Sequence, residues 1–111
     1  MRSWDLRSID APDGRRDPVV LDSTDDARAV LVALSPGQQL GEHQVKERAW
    51  LVVVDGTVEV RAGDETLTWG TGTLAMFDPH ERHAVRSDNG ARILLILAPW
   101  PGAGHYHPGE R

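Results

Sequence analysis

The stretch from residue 49 to residue 61 reads AWLVVVDGTVEVR and contains two apolar segments of different character. In residues 50–54 the apolar side chains follow one another without a break, so both faces of a strand there would be apolar. In the second segment Val58 and Val60 alternate with polar residues, which is typical of a strand with one face in water. Asp55-Gly56 between them matches a type I′ turn, whose central positions need positive φ. The stretch predicts two strands joined by a tight turn.

The same rhythm extends over most of the chain. Turn residues such as Pro36-Gly37, Gly63-Asp64 and Asn89-Gly90 separate short apolar runs at intervals of roughly 8–12 residues, a spacing typical of all-β sandwiches and barrels. No segment has the length and periodicity of a convincing helix. The predicted strands are residues 19–21, 27–34, 49–54, 57–61, 65–69, 73–77, 84–86 and 92–98.

Composition narrows the class of protein. The chain has 111 residues, which suits one domain, and it has no cysteine, which excludes disulfides, thiolate metal sites and a cysteine nucleophile. The net charge is −5, Lys46 is the only lysine and the arginines are scattered, so we expect no nucleic-acid partner. No apolar run is long enough to cross a bilayer, and the N-terminus lacks a hydrophobic leader segment. We therefore expect a cytoplasmic protein without a membrane partner.

Three regions are predicted: an N-terminal arm at residues 1–18, a barrel at 19–98 and a Pro/Gly-rich tail at 99–111. In the arm, Trp4 and Leu6 are the expected apolar anchors against a barrel edge. In the tail, His105 and His107 have the spacing of metal ligands, but proline and glycine exclude a regular element there, so we expect solvated side chains.

The runs at 50–54 and 93–97 also bear on assembly. A barrel covers only the inner face of each strand, and an apolar outer face then needs a second surface. The sequence therefore predicts a homodimer, the commonest symmetric assembly.

Two motifs centre on histidines. His43 lies six residues after Gly37, and Gly56 follows at the matching distance. His83 lies eleven residues after Gly72, preceded by Asp78, Pro79 and His80. In this order and spacing, the pattern resembles the two motifs of the cupin superfamily, and in particular a small single-domain, type-2-like cupin with a degenerate metal motif.

The resemblance implies a double-stranded β-helix, or jelly-roll barrel. In metal-bearing cupins three histidines and a glutamate converge inside the barrel on a divalent metal such as Fe, Mn, Ni, Cu or Zn. Here Val45 stands at the second histidine position and Ala49 at the glutamate position, which leaves His43 and His83. Glu47 shares the strand parity of His43 and is the candidate third ligand. Residues 44–48 are also expected to form a loop, from which Glu47 would face water.

The same barrel would contain a ligand pocket. We expect His43 and His83 to share one cavity, with Trp69, Met76 and Phe77 as core or pocket wall. His80 is expected to be a turn residue rather than a ligand.

Three functions remain open at this point. The first is a binding protein, a sensor or an accessory protein, that holds a small polar or anionic molecule. The second is a metal-dependent enzyme of the dioxygenase, isomerase, decarboxylase or cyclase type, since the fold is compatible with all of them. The third is a metal-free isomerase or cyclase that uses a histidine as general base. No hydrolase elbow, phosphate loop or dinucleotide motif is present.

Overall fold

The computed structural model describes residues 1–11, 19–43 and 45–101, with the side chains of residues 41–43 outside the description. Within these ranges the chain forms β-strands and no helix, as the sequence predicts, and it therefore has no helix that could span a membrane. Residues 12–18 of the arm and the tail residues His105 and His107 lie outside the described residues. The strands are β1 (Val19–Ser23), β2 (Arg28–Leu34), β3 (Gln39–His43), β4 (Arg48–Ala62), β5 (Glu65–Gly70), β6 (Leu74–Phe77), β7 (His83–Arg86) and β8 (Ala91–Ala98).

All strand pairs are antiparallel, and β4 belongs to both halves of the curled sheet. Its first part pairs with β6 and β8, and its last part pairs with β5 and β7. On the first half β8 continues to β2 and β1, and on the second half β7 continues to β3. The core lies between the halves and includes Leu51, Val53, Val58, Val60 and Ile93, each at most 3% exposed.

The prediction of a tight turn at Asp55-Gly56 is wrong, because β4 continues through both residues and the chain does not reverse there. The register shifts between Val53 and Asp55, and the strand then passes from one half of the sheet to the other. Gly56 makes this possible with φ of 94°. A side-chain carbon at Gly56 would lie 2.9 Å from the Cα of Ala91, a distance that no ordinary contact tolerates. Glycine here serves a bulge and a close backbone approach.

The N-terminal arm lies on the barrel. Of its two expected anchors, Trp4 is 43% exposed, whereas Leu6 is half-buried and its carbonyl accepts a hydrogen bond from Arg92 at 3.0 Å. The arm residues in the apolar contact with β2 are Ile9 and Ala11. They pack against Leu31 and Ala33 on the outer face of β2. Leu31 and Ala33 are aliphatic and form an apolar surface, which the apolar side chains of Ile9 and Ala11 can cover without burying a polar group. The arm therefore covers part of the outer face that the sequence left without a partner.

Another part of the same outer face stays accessible. Leu74 and Met76 are 65% and 52% exposed, and their register partners on β4 and β8 are half-buried. We call this surface the outer patch. It consists of Val52, Leu74, Met76, Leu94 and Ile96.

Candidate functional site

Buried and exposed side chains alternate in residues 45–49, where the chain enters β4. Val45 packs against the core, Glu47 is 1% exposed and Ala49 is 2% exposed, whereas Lys46 and Arg48 are exposed. Side chains on a strand point to opposite faces in turn, so the first three residues belong to the inner face. Val45 and Glu47 do precede the strand, as expected of a loop. The expectation that Glu47 faces water is wrong, because the inward parity already holds before β4 begins.

His83, the first residue of β7, is 4% exposed and stacks on Phe77. The ring centroids are 3.9 Å apart and the planes differ by 7°. Nδ1 of His83 lies 3.2 Å from the carbonyl oxygen of Glu81, which can only accept a hydrogen bond, so Nδ1 is the donor. In a neutral ring with the proton on Nδ1, Nε2 is a hydrogen-bond acceptor.

Phe77 continues the wall toward β5. Its ring centroid is 6.1 Å from that of Trp69, with the planes tilted by 41°. Phe77 and Trp69 line one cleft of about 180 Å³, which we call the barrel cleft. Met76 borders it, but its strand parity is opposite to that of Phe77, and its side chain, 52% exposed, belongs to the outer patch. The structure thus brings Phe77 and Trp69 together, with His83 stacked against Phe77, and it places the Met76 side chain on the outer face.

The charged residues that line the barrel cleft are Glu65 and Glu81. The sequence analysis named neither as a site residue. For Glu65 a signal was available, because it has the same strand parity as Trp69 on β5 and therefore shares its face. For Glu81 there was none, since it lies between strands and its place depends on the turn at Asp78, where its carboxylate accepts a hydrogen bond from the Asp78 backbone NH at 3.0 Å.

His43 ends β3, and the backbone register pairs it with His83 of β7. Its side chain lies outside the described residues. The shared cavity for the two imidazoles therefore stays a prediction, with the backbone pairing as its support. His80 is a turn residue, as expected, with φ of 67°.

The described residues do not fit the four-ligand metal site of metal-bearing cupins. Val45 and Ala49, at the positions of two ligands, pack in the apolar core cluster. Among the described side chains, no group of three or more His, Cys, Asp or Glu residues could hold a metal ion. The smaller set of His43, His83 and Glu47 stays a prediction.

Comparison with known protein families identifies one matching family. Its model, described as "Cupin domain", matches residues 30–98. The search of curated proteins found no match.

Solved structures match over nearly the whole chain. A double-stranded β-helix protein from Klebsiella pneumoniae is similar with a TM-score of 0.80 at 19% identity, covering 93% of this chain and 94% of that one. A cupin superfamily protein from Desulfitobacterium hafniense has a TM-score of 0.77 at 16% identity, with coverage of 85% and 86%. An RmlC-like cupin from Desulfovibrio desulfuricans has a TM-score of 0.75 at 22% identity, with coverage of 89% and 97%. At these identities the likeness shows the fold.

Proposed function

The chain belongs to the cupin family, and from this premise we propose that its barrel cleft binds a small, neutral, polar molecule without a metal. The protein would then act as a sensor or an accessory protein. The observation that supports this most is the replacement of two metal-ligand positions by Val45 and Ala49 in the core, while His83 stays buried against Phe77. An apolar wall with a few polar groups is the usual composition of a small-molecule pocket.

Charge favours a neutral ligand over the anionic one that the sequence left open. Glu65 and Glu81 line the cleft, and Glu47 is buried on the inner face of the barrel. Carboxylates close to a bound anion would repel it, and the repulsion grows as water is excluded. A hydroxyl or amide group on the ligand would instead donate to the carboxylate of Glu65 or Glu81.

Benzamide is a suitable probe, since its ring can stack on the aromatic wall and its amide can donate. We expect it to shift the indole NH signal of Trp69 in a nuclear magnetic resonance titration. His83→Ala should weaken binding about 2- to 12-fold, because it removes the ring that stacks on Phe77 and fixes this wall of the cleft, an aromatic pair of about 0.5–1.5 kcal/mol.

The matched control is His80→Asn, because asparagine tolerates the positive φ of this exposed turn position. It should leave benzamide affinity unchanged. Benzamide binding that ignores His83→Ala, or no shift of Trp69, would count against the proposal.

A metal-dependent enzyme is the second candidate, and the burial of Glu47 favours it. The candidate ligands are His43, His83 and Glu47, two imidazoles and one carboxylate, a set that suits a divalent transition metal. Metal analysis of protein purified without a histidine tag separates the candidates. A stoichiometric metal that is lost in Glu47→Gln supports the enzyme, and protein without metal supports the binding function.

We also propose a homodimer that buries the outer patch. Val52 is the register partner of Leu74 and Leu94, and Trp50 is the register partner of Met76 and Ile96, so the patch is continuous across β6, β4 and β8 through these two β4 residues. The arm covers the neighbouring part of this face with apolar contacts, and a second copy of the chain would cover the outer patch in the same way.

A further inference from the structure

A second concave surface lies outside the barrel, at the end of the sheet where β4 begins and β8 ends. Its volume is about 600 Å³, within the range of small-molecule pockets, and we call it the outer groove. Arg48 and Trp50 line it from β4, with strand parity opposite to the core residues Ala49 and Leu51. The groove is therefore separate from the barrel cleft, which lies on the inner side of the same strand.

Two backbone contacts build the groove from segments distant in sequence. The backbone NH of His80 donates to the carbonyl of Val45 at 2.8 Å, which holds the turn before β7 beside the loop that contains Lys46. Arg48 is the register partner of Ala98, which brings Pro99 to the opposite wall. The backbone hydrogen bond and the strand pairing thus bring the loop before β4, the start of β4 and the turn before β7 to one surface.

The convergence concentrates positive charge in an acidic protein. The net charge of the chain is −5, yet its only lysine, Lys46, lines this groove together with Arg48. The uncharged walls are the indole of Trp50 and the prolines Pro79 and Pro99. Cations around a flat aromatic surface complement a ligand that combines a negative charge with a planar apolar body.

We propose that the outer groove binds a planar organic anion of the aromatic carboxylate class. The carboxylate would pair with Lys46 and Arg48, and the ring of the ligand would pack on Trp50. Arg suits this role because its guanidinium can hold a carboxylate with two parallel hydrogen bonds. The inference does not depend on what the barrel cleft binds.

One carboxylate of the protein competes for this site. Asp78 lies 3.5 Å from Arg48, and the two side chains are 71% and 44% exposed. Such exposed pairs are weak and readily exchanged, so a ligand carboxylate can replace Asp78 as the partner of Arg48. Removing the charge of Asp78 should therefore tighten the binding of an anion.

Benzoate is the probe, measured by isothermal titration calorimetry on the full chain at low salt. The double variant Lys46→Gln/Arg48→Gln should bind benzoate about three- to tenfold more weakly, and Asp78→Asn should bind it about two- to fivefold more tightly. Arg61→Gln is the matched control, since Arg61 is an exposed arginine near the other end of β4. It should leave the affinity unchanged.

The outcomes separate the proposal from its alternatives. Equal benzoate affinity in the wild type and the double variant overturns it. Equal losses in the double variant and in Arg61→Gln also overturn it, since they indicate a general charge effect. If the double variant lowers the solution mass rather than the benzoate affinity, the groove is a contact between two copies and the proposal fails.

Discussion

The barrel cleft and the outer groove lie on opposite faces of one strand and have opposite charge. The cleft has Trp69 with the carboxylates of Glu65 and Glu81, and the groove has Trp50 with Lys46 and Arg48. The separation begins in six consecutive residues. Val45, Glu47 and Ala49 are on the inner side, while Lys46, Arg48 and Trp50 are on the outer side. Because successive side chains of a strand point to opposite faces, this one segment has acidic or apolar residues on its inner side and basic residues on its outer side.

The two surfaces should differ most in what they contribute to stability. Phe77 is 4% exposed in the core, so Phe77→Ala should lower the free energy of unfolding by about 3–5 kcal/mol through lost burial and a cavity. Lys46→Gln/Arg48→Gln changes only exposed side chains and should change it by less than about 0.5 kcal/mol per site. Urea denaturation followed by circular dichroism measures both. Similar losses would mean that the groove is part of the folding core.

The outer patch offers a way to test whether the groove works without a second copy. Leu74→Glu places a charge on the most exposed leucine of the patch, and we expect it to convert the proposed dimer to a monomer of 12.2 kDa in light scattering. Val20→Glu is the control, because Val20 is 47% exposed and lies outside the patch. Benzoate affinity should persist in the Leu74→Glu monomer. A wild-type protein that is monomeric at micromolar concentration contradicts the dimer.

The salt dependence of binding should differ between the two probes, and this is the smallest of the expected effects. Raising the ionic strength shortens the Debye length from about 10 Å at 0.1 M to about 3 Å at 1 M, which weakens attraction between exposed charges. Benzoate binding should therefore weaken about two- to fivefold over this range, while benzamide binding stays within a factor of about two. Calorimetry of both probes in parallel gives the comparison, and an equal response of the two would argue against ion pairing in the groove.

Much of the fold followed from local patterns, and the exceptions have physical causes. The predicted runs at 73–77 and 92–98 became β6 and β8 with small shifts at their ends. β3 (Gln39–His43) was not predicted as a strand because it contains one large apolar residue, Leu40, and depends on pairing with β7. Gly56 was read as a turn because positive φ is compatible with both a hairpin and a bulge. The choice between them depends on Ala91, thirty-five residues later.

The candidate site was less predictable than the fold. Phe77 and Trp69 were found because apolar residues on inward positions tend to line a barrel. The parity of Glu47 pointed inward, but its loop position favoured water, and only the packing of Val45 beside it resolves the conflict. Strand alternation alone separates Lys46, Arg48 and Trp50 from the inner side, but the convergence of the other groove walls had no local signal. It depends on the hydrogen bond from His80 to Val45, which joins residues far apart in the chain.

If the two faces of β4 select ligands of different charge, the indole NH signals of Trp69 and Trp50 will distinguish the two binding events in one labelled sample. Benzamide and benzoate are nearly the same size and differ in charge. We predict that benzamide shifts the Trp69 signal and leaves Trp50 in place, and that benzoate shifts Trp50 and leaves Trp69 in place. If both compounds shift the signal of the same tryptophan, the two faces of β4 do not discriminate ligands by charge.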